Sequence, residues 1–189
     1  MAAELKRCAW CGTDPLYVKY HDEEWGRAVT DDKVLFEFLI LEGAQAGLSW
    51  ITILRRRDGY RNAFADFEVS KVAAFTDEDV ERLMNDTGII RNRLKIKAAI
   101  SNAQLFIALQ QEFGSFYNYL WSYLPDRKPI LNQVLSPGDV PARSEISDAI
   151  SKDMKKRGFK FFGSTICYAH MQATGMVNDH LADCHFRII

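Results

Sequence analysis

At 189 residues, with 48% apolar content and a formal net charge of −1, the chain suits one domain or two small lobes around a sizeable core. Four cysteines are few for a disulfide scaffold, and the first residues, MAAELKRC, hold no apolar run of signal-peptide length. No stretch reaches the roughly 20 apolar residues of a membrane span. A reducing, cytoplasmic setting is the default expectation, which favours thiol or metal-ligand roles for the cysteines over disulfides.

The chain reads as nearly all helix. Asp14-Pro15 is an N-cap followed by a first helical residue, opening a short helix through Tyr20. Asp31 or Asp32 caps a long helix to about Ala46, and Ser49 caps another over Trp50 to Arg57. Thr76-x-x-Asp79 resembles a capping box, with Asp in the usual Glu or Gln place. Beyond Gly88, helices are expected from about Asn92 to Gln111 and near Phe116 to Tyr123. Residues 125–141 hold four of the five prolines and read as a long loop, a hinge between lobes. Ser144 opens a helix ending at Gly158, and a last helix from about Thr165 to Thr174 stops at Gly175, the residue type favoured at C′. Sustained period-2 alternation is absent, so the fold class is all-α.

Cys8 and His21 near the start, with His180 and Cys184 near the end, make a Cys2His2 set of the kind zinc favours. A site closed by four protein ligands is structural rather than catalytic. Two competitors stand beside it. Cys11 forms a C-x-x-C with Cys8 and could replace His21, and His185 adjoins Cys184. A thioredoxin-like role for that C-x-x-C needs a βαβ context, and none is visible.

At about 100° per residue, Glu42 falls on the same helix side as Leu35, Phe38, Leu39 and Ala46, whereas Glu37 falls opposite. An ionised Glu on an apolar face is costly without partners. A buried salt bridge or a capping role near the helix end would account for it. The small residues Gly43-Ala-Gln-Ala-Gly47 allow close approach of a backbone or ligand, and Trp50, Trp10, Tyr20 and Trp25 cluster in neighbouring sequence. Aromatic rings around a lone carboxylate suit a flat polar or cationic ring such as a nucleobase. Four cations, Arg91, Arg93, Lys95 and Lys97, occupy a stretch with no acid between Thr87 and Gln111. A Gly turn leading into a helix N-terminus there is a ready phosphate site. Lys152, Lys155, Lys156, Arg157 and Lys160 form a second basic cluster. Segregated charge of this kind holds nucleic acid through phosphates, with little sequence preference.

The stretches Asp14-Pro-Leu-Tyr-Val-Lys-Tyr-His-Asp-Glu-Glu-Trp-Gly, Leu41-Glu-Gly-Ala-Gln-Ala-Gly-Leu-Ser-Trp-Ile, Thr87-Gly-Ile-Ile-Arg-Asn-Arg and Lys155-Lys-Arg-Gly-Phe-Lys-Phe, continued by Gly163-Ser-Thr-Ile-Cys-Tyr and Gly175-Met-Val-Asn-Asp-His, resemble the type I 3-methyladenine DNA glycosylases. These belong to the helix-hairpin-helix DNA repair superfamily, and the similar stretches run from about Cys8 to Cys184. The resemblance implies a two-lobed helix-hairpin-helix architecture over residues 1–189, a single glycosylase domain with its hairpin at about 80–110. It assigns a structural Zn2+ to Cys8, His21, His180 and Cys184, leaving Cys11 and His185 as bystanders. Glu42 and Tyr20 become the catalytic pair, and Trp50, Trp25 and Trp10 complete the base pocket. Gln45, Gly47 and Leu48 would probe the gap left by a flipped nucleotide, while Gly88, Arg91, Asn92, Arg93 and Lys160 hold the backbone.

The implied partner is double-stranded DNA carrying alkylated bases, with free 3-methyladenine as product and a monomeric enzyme associated with the nucleoid. Methylation at N3 makes the nucleotide's base cationic and a good leaving group, so flipping and selective binding matter more than acid catalysis. Many superfamily members place a catalytic Asp after the hairpin, but here no Asp occurs between Asp86 and Asp126. The type I members likewise lack it. A zinc nucleobase deaminase requires H-x-E followed by P-C-x-x-C, and the one C-x-x-C here follows Leu-Lys-Arg rather than Pro. A DNA-binding module that recognises lesions without cleaving them is the non-enzymatic rival.

Overall fold

A computed structural model describes residues 5–45 and 47–187. Ten α-helices run in chain order among them: α1 (Pro15–Glu23), α2 (Asp32–Gln45), α3 (Trp50–Leu54), α4 (Arg57–Ala63), α5 (Val69–Ala73), α6 (Asp77–Met84), α7 (Arg93–Phe113), α8 (Phe116–Trp121), α9 (Glu145–Arg157) and α10 (Ser164–Ala173). None is long and apolar enough to cross a membrane. Ala46, placed by the sequence in the long helix and in the gap-probing segment, lies outside the described residues.

Local signals set most boundaries. Asp14 Oδ1 accepts from the Leu16 and Tyr17 amides at 2.9 and 3.4 Å, above a proline at the first helical position of α1. Asn92 and Ser115 cap α7 and α8 through Lys95 N–H (3.1 Å) and Asn118 N–H (2.9 Å). Gly158 closes α9 in the left-handed region. Asp31 caps α2 by accepting from Lys33 N–H at 2.8 Å. Asp32 instead reaches across to accept from the Phe116 and Tyr117 amides, each at 2.8 Å, capping the N-terminus of α8. The single helix expected over Trp50 to Arg57 is two helices, broken at Arg55 and Arg56, where the chain turns towards α4.

α2 is the central rod and packs against α3, α7, α8 and α10. Residues 35 to 42 are all buried, so this stretch of the helix has no solvent face. Glu37, expected on the side opposite Glu42, is buried as well, and Arg57 and Arg61 each donate to it through Nε, at 2.8 and 2.9 Å. The apolar side chains form a large main cluster and a smaller one containing Cys8, Tyr20, Trp25, Phe38 and Cys184.

The 125–141 segment is not a free hinge. Ile130–Leu131 (β1) pairs in parallel with Val177–Asn178 (β2), an exception to the all-helical expectation too short to show a two-residue period. Further on, the bridge between Val134 and Leu181 extends the seam. The connection from α6 to α7 is held against α4, where the Tyr60 hydroxyl accepts from Ile90 N–H at 3.2 Å and Gly59 meets Gly88 backbone to backbone. A Cβ added at Gly59 would lie 2.4 Å from the Gly88 carbonyl oxygen. Gly59→Ala is therefore expected to destabilise the fold by about 1–3 kcal/mol, the usual range for forced overpacking, seen as a lower urea midpoint.

Candidate functional site

A cavity of about 360 Å³ opens between α1, α2, α3, α10 and the Pro137–Val140 loop. Its wall includes Trp10, Tyr20, Trp25, Glu42, Gln45 and Trp50. The five residues expected around the base thus share one cavity, with Gln45 at its edge. The rings brace one another: Tyr20 lies 5.6 Å from Trp50, and Trp10 lies 4.8 Å from Trp25 in an edge-to-face contact. Phe38 backs Trp50 at 6.3 Å, nearly parallel. Burial, and next the Glu42 charge, hold the Tyr20 phenol well above its ordinary value, so it remains an O–H donor at neutral pH. The Trp50 indole N–H is buried with no hydrogen-bond partner among the described residues.

Glu42 is 1% exposed. Its Oε2 lies 2.9 Å from Nδ1 of His170 on α10. Burial raises the carboxyl above the ordinary carboxylate range, and the imidazole opposes that shift. A second buried carboxylate, Asp179, also lines the cavity. It is saturated by neutral donors, accepting from Asn132 Nδ2 at 2.7 Å and from the Tyr168 hydroxyl and Gln172 Nε2, each at 2.8 Å. His170, Asp179 and Gln172 had been missed as contributors. On an apolar helix face a lone histidine reads as filler, and Asp179 carried no signal beyond its place between Asn178 and His180.

Behind the aromatic wall the four Cys/His residues meet. Ligand atoms of Cys8, His21, His180 and Cys184 all lie within 4.8 Å of one another, and all four residues are buried. The Cys8 Sγ–His180 Nδ1, Cys184 Sγ–His180 Nδ1 and Cys184 Sγ–His21 Nε2 separations are 3.6, 3.4 and 3.6 Å. A tetrahedral ion with bonds of about 2.3 Å to sulfur and about 2.0–2.1 Å to nitrogen has S···N edges of about 3.6 Å, so these residues fit one. Each imidazole also engages an acceptor through its other nitrogen: His21 Nδ1 lies 2.7 Å from Asp22 Oδ1, and His180 Nε2 lies 3.0 Å from the Trp25 carbonyl. That outer support is characteristic of histidines orientated for a metal. Burial pushes the Cys8 thiol up to about 12, with Cys184 adding to the rise, so two thiolates here require a cation between them. Cys11 is excluded from the group and donates its S–H to the Cys8 carbonyl at 3.1 Å. His185 is exposed and likewise outside it.

A family model described as methyladenine glycosylase matches residues 10–188. The chain belongs to the methyladenine glycosylase family. It is 51% identical to DNA-3-methyladenine glycosylase 1 of Escherichia coli strain K12 over 95% of its own length and 96% of that protein. A crystal structure of 3-methyladenine DNA glycosylase I superposes with a TM-score of 0.92 at 51% identity, covering 95% of this chain and 98% of the other. A Staphylococcus aureus glycosylase, solved to explain 3-methyladenine recognition, gives a TM-score of 0.94 at 39% identity over 98% of both chains.

In this family member the residues expected to hold DNA are more engaged than their sequence suggests. Arg93 pairs with Glu81, Asn92 is spent as the α7 cap, and the Gly88 N–H donates to Asp86 Oδ1 at 2.7 Å. Arg157, from the second basic cluster, is held by Glu112 and Asp153. Arg91 and Lys160 are exposed, as are Gly47 and Leu48. Lys160 has its backbone fixed at both polar atoms by buried Asn102, at 2.9 Å each.

Cys184→Ser removes one of the four residues that could hold an ion and is expected to lower the protein's metal uptake, measured by elemental analysis. Loss of a ligand present at 100 to 1,000 times its Kd removes about 3–4 kcal/mol, or roughly 6–16 °C in Tm for a chain of this size. In metal-free protein, burial lowers the His180 pKa to about 4. Its contribution to stability is complete above the ordinary value of about 6.5 and is lost as pH falls towards 4. Melting metal-free protein at pH 7 and pH 5 should show a loss on the order of 2 kcal/mol.

Proposed function

We propose that the protein is a DNA-3-methyladenine glycosylase that flips an N3-methylated adenine out of alkylated double-stranded DNA and hydrolyses its glycosidic bond, without a lyase step. The reading rests on one observation above the rest: a ring-sized aromatic cavity whose wall carries a buried carboxylate with one oxygen unbonded among the described residues. Glu42 accepts a hydrogen bond from the base edge, including its exocyclic amine, and Tyr20 and Trp50 stack on or brace the ring. Trp25 and Trp10 close the pocket. In the reaction the C1′–N9 bond breaks and its electron pair leaves with the base, cancelling the base's positive charge. Water supplies the oxygen that bonds to C1′ and releases a proton to solvent. Unmodified adenine is rejected because its glycosidic bond is not activated.

On this reading the four-ligand cluster holds a structural Zn2+ that ties the terminal segments together, since a site closed by four protein side chains has no open position for substrate. The two lobes of a single helix-hairpin-helix glycosylase domain then grip the duplex. Gln45, Gly47 and Leu48 enter the gap left by the flipped nucleotide. Gly88, Arg91, Asn92, Arg93 and Lys160 line the phosphate track. Arg93 serves it only by exchanging Glu81 for a phosphate, so Arg91 and Lys160 contribute more to free-protein affinity. The enzyme acts as a monomer in the cytoplasm, reaching the nucleoid through DNA.

Release of free 3-methyladenine from methylated duplex DNA, followed by chromatography, tests the activity. A lesion-binding module would hold the DNA and release nothing. Glu42→Gln replaces an acceptor with an amide and is expected to weaken free 3-methyladenine binding by about 10- to 100-fold, one charge-assisted hydrogen bond, with the melting curve retained. Unchanged binding would remove Glu42 from the pocket's chemistry.

A further inference from the structure

The Glu42–His170 pair has a directional consequence. His170 is 0% exposed. Glu42 lines the cavity and His170 does not, so the imidazole stands behind the carboxylate. Oε2 faces Nδ1 at 2.9 Å, and no other hydrogen bond reaches the carboxylate among the described residues. His170 Nε2 is buried without a partner among the described residues, with the Phe162 ring 5.5 Å from the imidazole, edge to face. Whether the shared proton belongs to nitrogen or oxygen, the contact keeps it on the line between Oε2 and Nδ1. In either arrangement Oε1 carries no proton.

We propose that His170 is a positioning and specificity-determining residue, which keeps the cavity-facing oxygen of Glu42 a hydrogen-bond acceptor. This rests on the reading of Glu42 given above. A purine with an amine at C6 presents a donor to that oxygen and is bound. A purine with a carbonyl at C6 presents an acceptor and is rejected, because two acceptors facing each other leave both unsatisfied. The inference therefore assigns discrimination between 3-methyladenine and 3-methylguanine to a residue that touches neither.

Without the imidazole, a buried carboxyl binds a proton more readily, and with no acceptor behind it that proton can occupy either oxygen. Protonated on Oε1, Glu42 becomes a donor and accommodates the C6 carbonyl. Other titratable groups near Glu42 do not take over this function. Tyr20 on α1 and Cys167 on α10 are both driven well above their ordinary values, chiefly by burial. Lys95 on α7 donates at 2.9 Å to the Ala44 carbonyl, beyond Glu42 at the end of α2.

The test is fluorescence titration of intact protein with free 3-methyladenine and free 3-methylguanine from pH 5.5 to 8.5. Each variant is divided by wild type at every pH, so that the ligands' own titrations cancel. His170→Phe conserves an aromatic ring without the donor. It is expected to lose about tenfold in 3-methyladenine affinity at the acid end and recover at high pH, and its preference over 3-methylguanine should narrow by about tenfold, the worth of one hydrogen bond. His170→Asn returns an N–H to the Nδ1 position and should restore most of the preference. If His170→Phe fails to fold, His170→Leu carries the same expectation. Wild-type pH dependence and selectivity in a folded His170→Phe or His170→Leu would overturn the proposal, as would failure of His170→Asn to differ from them. Glu42→Gln separates the two layers: if it leaves 3-methyladenine affinity unchanged, the pocket reading itself falls. If it weakens binding while the His170 variants do not, only the role of His170 falls.

Discussion

A helix buried on all sides cannot carry two carboxylates unless the surrounding elements supply partners, and α2 carries Glu37 and Glu42. Leaving either charge unpaired in the interior costs several kcal/mol, comparable with the whole stability of a domain. The two are satisfied differently. Glu37 receives two guanidinium groups from α4, fixing the α2–α4 crossing and with it the approach of α4 to the α6–α7 connection. Glu42 receives a single imidazole on one oxygen. Its partial compensation creates a place where a ligand with donors is welcome.

The second constraint is the meeting of Cys8 and His21 with His180 and Cys184. These ligands are carried by the segment before α1, by α1, and by the chain beyond β2. The cluster is bonded directly to the cavity wall: His180 Nε2 faces the Trp25 carbonyl, the Trp25 and His180 rings lie 4.6 Å apart, and Trp10 packs on both Trp25 and His21. Tyr20 is the neighbour of His21 in α1. A metal there needs no contact with substrate to matter, because the aromatic side of the pocket is built from residues adjoining its ligands.

The sequence carried the local features and missed those made by remote partners. Asp14, Ser144 and Gly158 act within a few residues of themselves, so cap chemistry placed the start of α1 and both ends of α9. Asp32 looked like a cap and is one, but for α8, a relation no local pattern encodes. Glu42 was legible as a carboxylate on an apolar side, whereas the burial of Glu37 on the opposite side was not, because a helix enclosed there on both sides has no polar face to mark it. His170 lies 128 residues from Glu42 in the chain, and nothing in its own helix hints at an acid opposite. The basic stretch after Gly88 read as free positive charge because Glu81, which holds Arg93, lies outside the acid-free interval.

On the proposed reading, the weak compensation of Glu42 also suits the chemistry. The methylated base is cationic while attached to DNA, and its charge passes towards the sugar as the glycosidic bond breaks. A bare carboxylate beside the base would stabilise the bound cation more than the transition state, deepening the ground state without raising the rate. A carboxylate that shares its charge with His170 retains the direction of its hydrogen bond while exerting a smaller field on the ring. Glu42 is then better suited to choosing the base than to driving its departure. The driving force is left to the lesion, whose leaving group arrives already activated.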